Sequence, residues 1–240
     1  KLELDVFYVA YQDQFLVGHV QQIDMNSSCA TLRICLTQVM AWSHNNPTHA
    51  PLWISFNAKD GYIPGLPSPE AFSPAAFALM DSIVEEVLGK KLIRPRDIVN
   101  LQWPLLDDSR GKFILILDEG GDKRDIYYDG WQQRPMFTSS PEGHPAAAIM
   151  ILNDPVGQLD EIQRLVRAGY MVRTRADADT REARENDIRR REAAFASGAQ
   201  AVSTDYYLPA THFGNEYQVS LSQPIQCNPI TAPANCQVSE

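Results

Sequence analysis

Two acidic side chains near the start of the chain are spaced to bind a cation. Glu3 and Asp5 lie two positions apart in the alternating segment 2–7. In a β-strand, residues i and i+2 point to the same side, so these carboxylates would repel each other unless a cation lay between them. Carboxylate oxygens are hard ligands that suit Ca²⁺ or Mg²⁺. The alternative is a solvent-facing row of charges on an edge strand.

A histidine follows a nearby apolar run. His19 comes after Gly18 and the run 15–17, which could deliver an imidazole to the same strand ends. An imidazole titrates near neutral pH and is therefore suited to general acid or base catalysis. The alternative is an ordinary surface or core histidine, and we interpret the remaining four in that way: His44, His49, His144 and His212.

Polar residues also end a later strand. Asn57 and Lys59 follow the apolar run 52–56. The amide oxygen of Asn57 could bind a hard cation, and the ammonium of Lys59, two positions on, could meet a phosphate oxygen on the same side. The alternative for Lys59 is a solvated lysine at a strand end.

Two arginines end another predicted strand and share one of its sides. Arg173 and Arg175 each carry a planar guanidinium, which binds phosphate or carboxylate through two parallel hydrogen bonds. The alternative is a salt-bridge network with Asp177 and Asp179 that holds the following loop. Both interpretations can be true, with one arginine in each role.

The elements that must position these residues alternate along the chain. Helical spacing over 74–88, 160–168 and 180–197 ends each time at a glycine. Seven short apolar runs predict strands, namely 2–7, 52–56, 113–117, 136–138, 148–152, 170–174 and 200–204. Strands that alternate with helices predict an α/β fold with a parallel sheet.

A (β/α)₈ TIM-type barrel is the arrangement that we expect. Such a barrel needs eight strands, so we expect its first strand to lie upstream of Lys1. The loops 60–74 and 119–134 follow strands and would then lie on the active-site face. We predict an N-terminally truncated barrel domain over 1–205 and a C-terminal extension over 206–240 that packs on it.

Composition narrows the classes of partner. The chain has 240 residues, 44% of them hydrophobic, which is enough for one large domain. The net charge is −9, and an acidic chain is a poor candidate for binding nucleic acid. No apolar run reaches the roughly 18 residues of a membrane span, so we predict that any membrane contact is peripheral. We also expect the protein to be a monomer. Four aromatic residues could dip into a lipid interface or pack down the loops: Trp103, Tyr127, Tyr128 and Trp131.

Four cysteines fall in two close pairs. Cys29 lies near Cys35, and Cys227 lies near Cys236, without the spacing of a zinc site. Two local disulfides are the simpler interpretation, and they predict a secreted or periplasmic protein. Four free thiols in a cytosolic protein remain the alternative.

Several strings together resemble the bacterial calcium-dependent phosphatidylinositol-specific phospholipases C, which belong to the superfamily of TIM-barrel phosphodiesterases. The most specific string is Arg-Thr-Arg-Ala-Asp-Ala-Asp-Thr over residues 173–180. The others are Glu3-Leu-Asp5-Val6 followed by His19, Ala-Ser-Gly-Ala-Gln over 196–200 and Val-Ser-Thr-Asp-Tyr over 202–206. The resemblance extends over essentially the whole chain.

The resemblance implies a reaction and roles for the residues already named. The inositol 2-hydroxyl of phosphatidylinositol would attack phosphorus, and diacylglycerol would leave. Glu3 and Asp5 match the Ca²⁺ carboxylates, and His19 matches the second of two catalytic histidines. The first histidine would lie on the strand expected upstream. Asn57 stands where related barrels often carry a glutamate, so one negative charge fewer would weaken Ca²⁺ binding.

The remaining implied roles concern the phosphate. Lys59 with Arg173 or Arg175 would stabilise the charge of the phosphodiester. The alternatives are a glycerophosphodiester phosphodiesterase on the same barrel, which would not select inositol, and a non-catalytic barrel that binds phosphoinositides.

Overall fold

The computed structural model describes residues 1–223 and 225–238. The chain forms two compact units, Lys1–Ala147 and a second unit from Ala148 onward. The boundary expected near residue 205 stays a prediction. Of the predicted C-terminal extension, residues 224, 239 and 240 lie outside the described part of the chain.

The first unit contains one sheet and the helices that cover it. The strand order is β2-β1-β3-β5-β4, and β6 also pairs with β5. The strands are β1 (Leu2–Val9), β2 (Gln14–Val17), β3 (Leu52–Ala58), β4 (Leu92–Ile93), β5 (Phe113–Leu117) and β6 (Phe137–Thr138). The pairs of β1 with β3, β3 with β5, β4 with β5 and β5 with β6 are parallel, as expected for an α/β fold. The pair β1 and β2 is antiparallel, because a short turn reverses the chain between them.

Two helices of this unit pack on the sheet. They are α1 (Leu32–Asn45) and α2 (Pro74–Leu88), which begin at side-chain caps from Thr31 and Ser73. Their apolar faces bury Leu36 and Phe77 against the strand residues Ile54 and Phe113. The helix predicted over 74–88 is confirmed, whereas α1 and β2 were not predicted.

The remaining α-helices of the first unit are short. They are α3 (Leu106–Ser109) and α4 (Gly121–Tyr128). The expectation that 119–134 forms a loop is therefore wrong over eight residues. Charged residues fill the first turn of α4 after Gly120 and Gly121, so no apolar periodicity marks the helix in the sequence.

The second unit contains a three-stranded parallel sheet in the order β7-β8-β9. Its elements are β7 (Ile149–Ile151), α5 (Leu159–Arg167), β8 (Met171–Arg175), α6 (Arg181–Glu185), α7 (Arg189–Ala196) and β9 (Ala201–Ser203). The single helix expected over 180–197 is two helices. Asn186 ends the first of them in the left-handed region, with φ of 51°, which asparagine tolerates better than most residues.

Residues after β9 pack within the second unit. Tyr217 is buried, and its hydroxyl donates to the Ala176 carbonyl at 3.2 Å. The backbone N–H of Val219 donates to the Tyr206 carbonyl. This segment therefore completes a small core over β8, α6 and α7.

Both predicted disulfides are present, Cys29–Cys35 and Cys227–Cys236, so the alternative of free thiols is excluded in this structure. In the part of the chain that is described, no helix has the length and apolar character to cross a membrane.

Candidate active site

Three oxygen-bearing side chains converge where the carboxyl end of β3 pairs with the first half of β1. The parallel register places Asp5 opposite Asn57, and Glu3 lies two residues before Asp5 on the same face. The Asn57 amide nitrogen donates to Asp5 Oδ1 at 2.6 Å and to Glu3 Oε1 at 3.2 Å. The structure therefore brings together the three residues that the sequence analysis assigned to a metal.

Lys59, the residue directly after β3, also belongs to this group. Lys59 Nζ lies 3.0 Å from Asp5 Oδ2, and the Lys59 backbone N–H donates to the Val6 carbonyl, which extends the pairing with β1. The Asp5 side chain is only 15% exposed, and a shielded carboxylate needs partners for its charge. The Asn57 amide contacts one of its oxygens and the Lys59 ammonium contacts the other. We name Glu3, Asp5, Asn57 and Lys59 the β1–β3 cluster.

The donor chemistry of the β1–β3 cluster fits a hard cation. In the described residues, no three His, Cys, Asp or Glu side chains are grouped closely enough to hold a metal by themselves. The third donor has to come from another residue type, and Asn57 already contacts both carboxylates. Rotating its terminal amide by half a turn would place the carbonyl oxygen where the nitrogen now lies. Two carboxylates and an amide oxygen are a ligand set that Ca²⁺ accepts.

His19 begins a tight turn beside this cluster. The Gly18 N–H donates to the Asp5 carbonyl at 3.1 Å, so the backbone next to His19 is tied to a strand residue of the cluster. The imidazole Nδ1 lies 3.4 Å from Asp24 Oδ2, and its side chain is 70% exposed. A side chain that is exposed and has a carboxylate on one ring nitrogen can exchange protons with a substrate through the other.

A second polar group lies where β3 and β5 end, and the sequence analysis did not find it. Glu119 Oε1 accepts the Ala58 N–H at 2.6 Å, and Lys123 Nζ lies 2.8 Å from Glu119 Oε2 and 3.0 Å from Asp60 Oδ1. Burial raises the pKa of Glu119, against the opposing effect of Lys123. Burial acts to lower the pKa of Lys123, but Glu119 and Asp60 outweigh it and raise the pKa. The available signal was an acidic pair, 118–119, directly after a buried strand.

The two arginines lie on β8 in the second unit and differ in their surroundings. Arg173 is 1% exposed, and its guanidinium donates to Ser203 Oγ at 2.7 Å and to Asn153 Oδ1 at 2.6 Å. Arg175 is half-buried at the end of the strand and lies opposite Ser203 in the register. Asp177 accepts hydrogen bonds from the Thr204 hydroxyl and the Asp205 N–H.

The aromatic residues named for a lipid interface are mostly packed. Tyr127 is 1% exposed. The ring centroid of Trp103 lies 5.5 Å from that of Phe137, and the ring centroid of Tyr128 lies 4.0 Å from that of His144. The alternative, that they hold loops in place, describes these three. Tyr11 and Tyr62, which follow β1 and β3, are the more exposed aromatics of the first unit, at 82% and 68%.

Two bacterial phospholipases are among the solved structures that resemble this chain. A Ca²⁺-dependent phosphatidylinositol-specific phospholipase C from Streptomyces antibioticus matches with a TM-score of 0.61 at 18% identity, over 86% of this chain and 85% of that one. A calcium-dependent phosphoinositol-specific phospholipase C from a Pseudomonas species matches with a TM-score of 0.51 at 19% identity, over 90% of this chain and 77% of that one. At these identities the likeness shows the fold.

The family follows from the sequence. Residues 9–229 match the family described as "Phosphoinositide phospholipase C, Ca2+-dependent". The chain belongs to this family, as the motif resemblance indicated. A comparison with curated proteins finds no match.

Proposed function

We propose that the protein is a Ca²⁺-dependent phosphodiesterase that cleaves phosphatidylinositol to diacylglycerol and an inositol phosphate. The observation that carries this proposal is the convergence of two carboxylates from β1, an amide and an ammonium at the carboxyl end of β3. Membership of the family supports the substrate class and the cation. We also propose that the strands belong to a (β/α)₈ barrel, whose active sites lie at the carboxyl ends of its strands.

The cation site would be formed by Glu3, Asp5 and Asn57. When bound there, Ca²⁺ would supply positive charge next to a phosphate oxygen. The Lys59 ammonium now lies on Asp5, and it is free to contact the phosphate once another cation compensates that carboxylate. A phosphodiester anion would then be held by charges that are present before the reaction begins.

His19 would protonate the leaving oxygen of diacylglycerol. Its Nδ1 faces Asp24, which keeps the ring oriented. The family resemblance implies a second histidine that takes the proton from the attacking 2-hydroxyl. Arg175 is the better candidate for binding phosphate, because Arg173 is buried on Ser203 and Asn153.

The working environment would be a membrane surface outside the cytoplasm. Two disulfides are characteristic of oxidising compartments, which supports a secreted or periplasmic protein. The exposed rings of Tyr11 and Tyr62 follow the two strands that carry the β1–β3 cluster. Aromatic rings of this kind settle at the interface between lipid and water, so we propose peripheral contact there by a monomer.

The test is the release of diacylglycerol from phosphatidylinositol vesicles at controlled free Ca²⁺. The assay uses the full-length protein. We expect the full-length protein to release diacylglycerol with Ca²⁺ and to stop when a chelator is added. Release that is unaffected by the chelator would contradict the proposal.

The substrate panel separates the rival functions. Phosphatidylinositol, phosphatidylcholine and glycerophosphoinositol are compared at equal concentration. Equal turnover of all three would favour a glycerophosphodiester phosphodiesterase. Binding of phosphatidylinositol vesicles without turnover by the full-length protein would favour a non-catalytic barrel.

A further inference from the structure

A lysine on α4 connects the ends of two neighbouring strands. Lys123 Nζ donates to the Ala58 carbonyl at 2.5 Å, at the end of β3, and to Asp60 Oδ1 at 3.0 Å. It also lies 2.8 Å from Glu119 Oε2, just after β5. Its side chain is 24% exposed, so three acceptors from two strand ends share one ammonium that is largely shielded from water.

The same network holds Ala58 through both of its backbone groups. Its carbonyl accepts from Lys123, and its N–H donates to Glu119 Oε1 at 2.6 Å. The two groups of one strand residue point to the same side, so Ala58 is held on the side of β5. The backbone N–H of the next residue, Lys59, points the other way and donates to the Val6 carbonyl on β1.

Asp60 extends the network into the long loop after β3. One of its oxygens binds Lys123, and the other accepts the Phe72 N–H at 3.4 Å. Phe72 is buried in the core just before α2. The two ends of the loop 59–73 are therefore joined through one carboxylate that Lys123 keeps in place.

We infer that Lys123 is a positioning residue for the β1–β3 cluster. Asn57 and Lys59 flank Ala58, and both side chains contact Asp5. By holding Ala58 and Asp60, Lys123 sets the direction in which Asn57 and Lys59 project toward the carboxylates. This inference rests on the proposed function, because it concerns the residues proposed to bind Ca²⁺ and phosphate.

The test measures Ca²⁺ binding directly, by calorimetry of the lipid-free protein. Replacing Lys123→Met should weaken Ca²⁺ binding by about tenfold, as is typical when a residue that supports metal ligands is lost. Lys123→Arg keeps the charge and should restore most of the affinity. The matched control is Arg124→Met on the same helix. Among the described residues Arg124 pairs with its exposed neighbour Asp125 alone, so its loss should leave Ca²⁺ affinity unchanged.

Losing Lys123 would leave two shielded carboxylates without their cation, so the Lys123→Met protein could fail to fold. Asp60→Asn is the second variant, because its side chain still offers an acceptor to Phe72 but loses the charge that faces Lys123. We expect a smaller loss of Ca²⁺ affinity for it, about threefold, with near-ultraviolet circular dichroism like that of the wild type.

The outcomes separate this inference from the proposed function. Wild-type protein that binds no Ca²⁺ would overturn both. Wild-type protein that binds Ca²⁺, with a folded Lys123→Met or Asp60→Asn variant of equal affinity, would overturn only the positioning role. A Lys123→Met variant that melts at a lower temperature but binds Ca²⁺ as tightly as the wild type would also overturn the positioning role. That result is expected if Lys123 only stabilises the fold.

Discussion

Asn57 is the residue of the site that differs most from expectation for a calcium ligand. It contacts two carboxylates through its amide, where a carboxylate would repel them. An amide oxygen binds Ca²⁺ without adding negative charge. Compared with three carboxylates, Glu3, Asp5 and Asn57 therefore repel one another less when no cation is bound, but they bind Ca²⁺ more weakly. This balance makes the residue a direct probe of the site.

We expect Asn57→Glu to bind Ca²⁺ more tightly than the wild type, by about tenfold or more, because a third carboxylate joins Glu3 and Asp5. Without Ca²⁺ the same variant should melt at a lower temperature, since three carboxylates then repel one another. Calorimetry and thermal unfolding with and without a chelator check both effects. Unchanged affinity together with unchanged melting would show that Asn57 does not face a cation.

His19 carries the proposed proton transfer. We expect His19→Gln to lower kcat for phosphatidylinositol by about 100-fold or more, the usual cost of losing a general acid, while Ca²⁺ affinity stays the same. The control is His44→Gln, because His44 is exposed on the last turn of α1. Equal loss in the two variants would count against a specific role of His19.

At the scale of elements, a disulfide holds the segment that contains His19. The segment leaves β2 at Val17 and returns to it, because the Val17 N–H donates to the Ala30 carbonyl and Ser27 Oγ donates to the Val17 carbonyl. Cys29 in this segment is then joined to the buried Cys35 on α1. The turn that presents His19 is therefore anchored at its base.

Removing this disulfide with Cys29→Ala and Cys35→Ala should lower the free energy of unfolding by about 2 kcal/mol, from the entropy of a short closed loop. It should also reduce kcat, because the His19 turn becomes mobile. The matched variant lacks the other disulfide, through Cys227→Ala and Cys236→Ala, and should lose stability while keeping kcat. Urea unfolding and the vesicle assay measure the two effects. Equal kcat in both variants would contradict the anchoring role.

A second feature at this scale is a partly buried carboxylate on α2, that of Asp81. Asp81 accepts from the Tyr127 hydroxyl at 2.7 Å and from Arg134 at 2.9 Å, and it joins α2 to α4 and to the segment that follows α4. Burial raises the pKa of Asp81 above 3.8, although Arg134 and Tyr127 act to lower it. A carboxyl with a raised pKa in the folded state binds more protons there than in the unfolded state.

The stability of the wild type relative to Asp81→Asn should therefore fall as pH rises from 3.8 through the raised pKa, and it should be greatest below 3.8. Urea unfolding of both proteins across this range measures the difference. A difference that instead grows with pH would mean that Arg134 outweighs burial and that the pKa of Asp81 is lowered.

At the scale of the whole molecule, cation binding and folding are coupled. Any ligand that binds only the folded protein stabilises it, by about 2.7 kcal/mol at 100 times its dissociation constant. We expect Ca²⁺ to raise the melting temperature and Mg²⁺ to raise it less, since Mg²⁺ requires stricter octahedral geometry.

The control for this thermal shift is Asp5→Asn, which removes the carboxylate that both Asn57 and Lys59 contact. The variant should show little shift at the same Ca²⁺ concentration. A wild-type shift that survives in this variant would place the binding elsewhere in the molecule.

Much of the fold and part of the site could be predicted because their causes are local. Alternation along β1 places Glu3 and Asp5 on one side, and close spacing pairs each cysteine with its neighbour. Helical periodicity gives α2 within its observed bounds. Prediction fails where the hydrophobic pattern is weak or interrupted. The first turn of α4 is charged and therefore has no apolar periodicity. The left-handed Asn186 divides a continuous helical pattern into α6 and α7.

The sequence by itself determines the α/β character of this protein, its disulfides, its family and the residue types of the β1–β3 cluster. Only the tertiary structure decides which partners those residues have. Asp5 meets Asn57 because β1 and β3 pair in parallel register, and Lys123 reaches Ala58 because β5 lies beside β3. These contacts join residues more than 50 positions apart, as the bond from Asn57 to Asp5 spans 52 and that from Lys123 to Ala58 spans 65. Strand pairing and register arise from packing the whole core, and no local pattern encodes them.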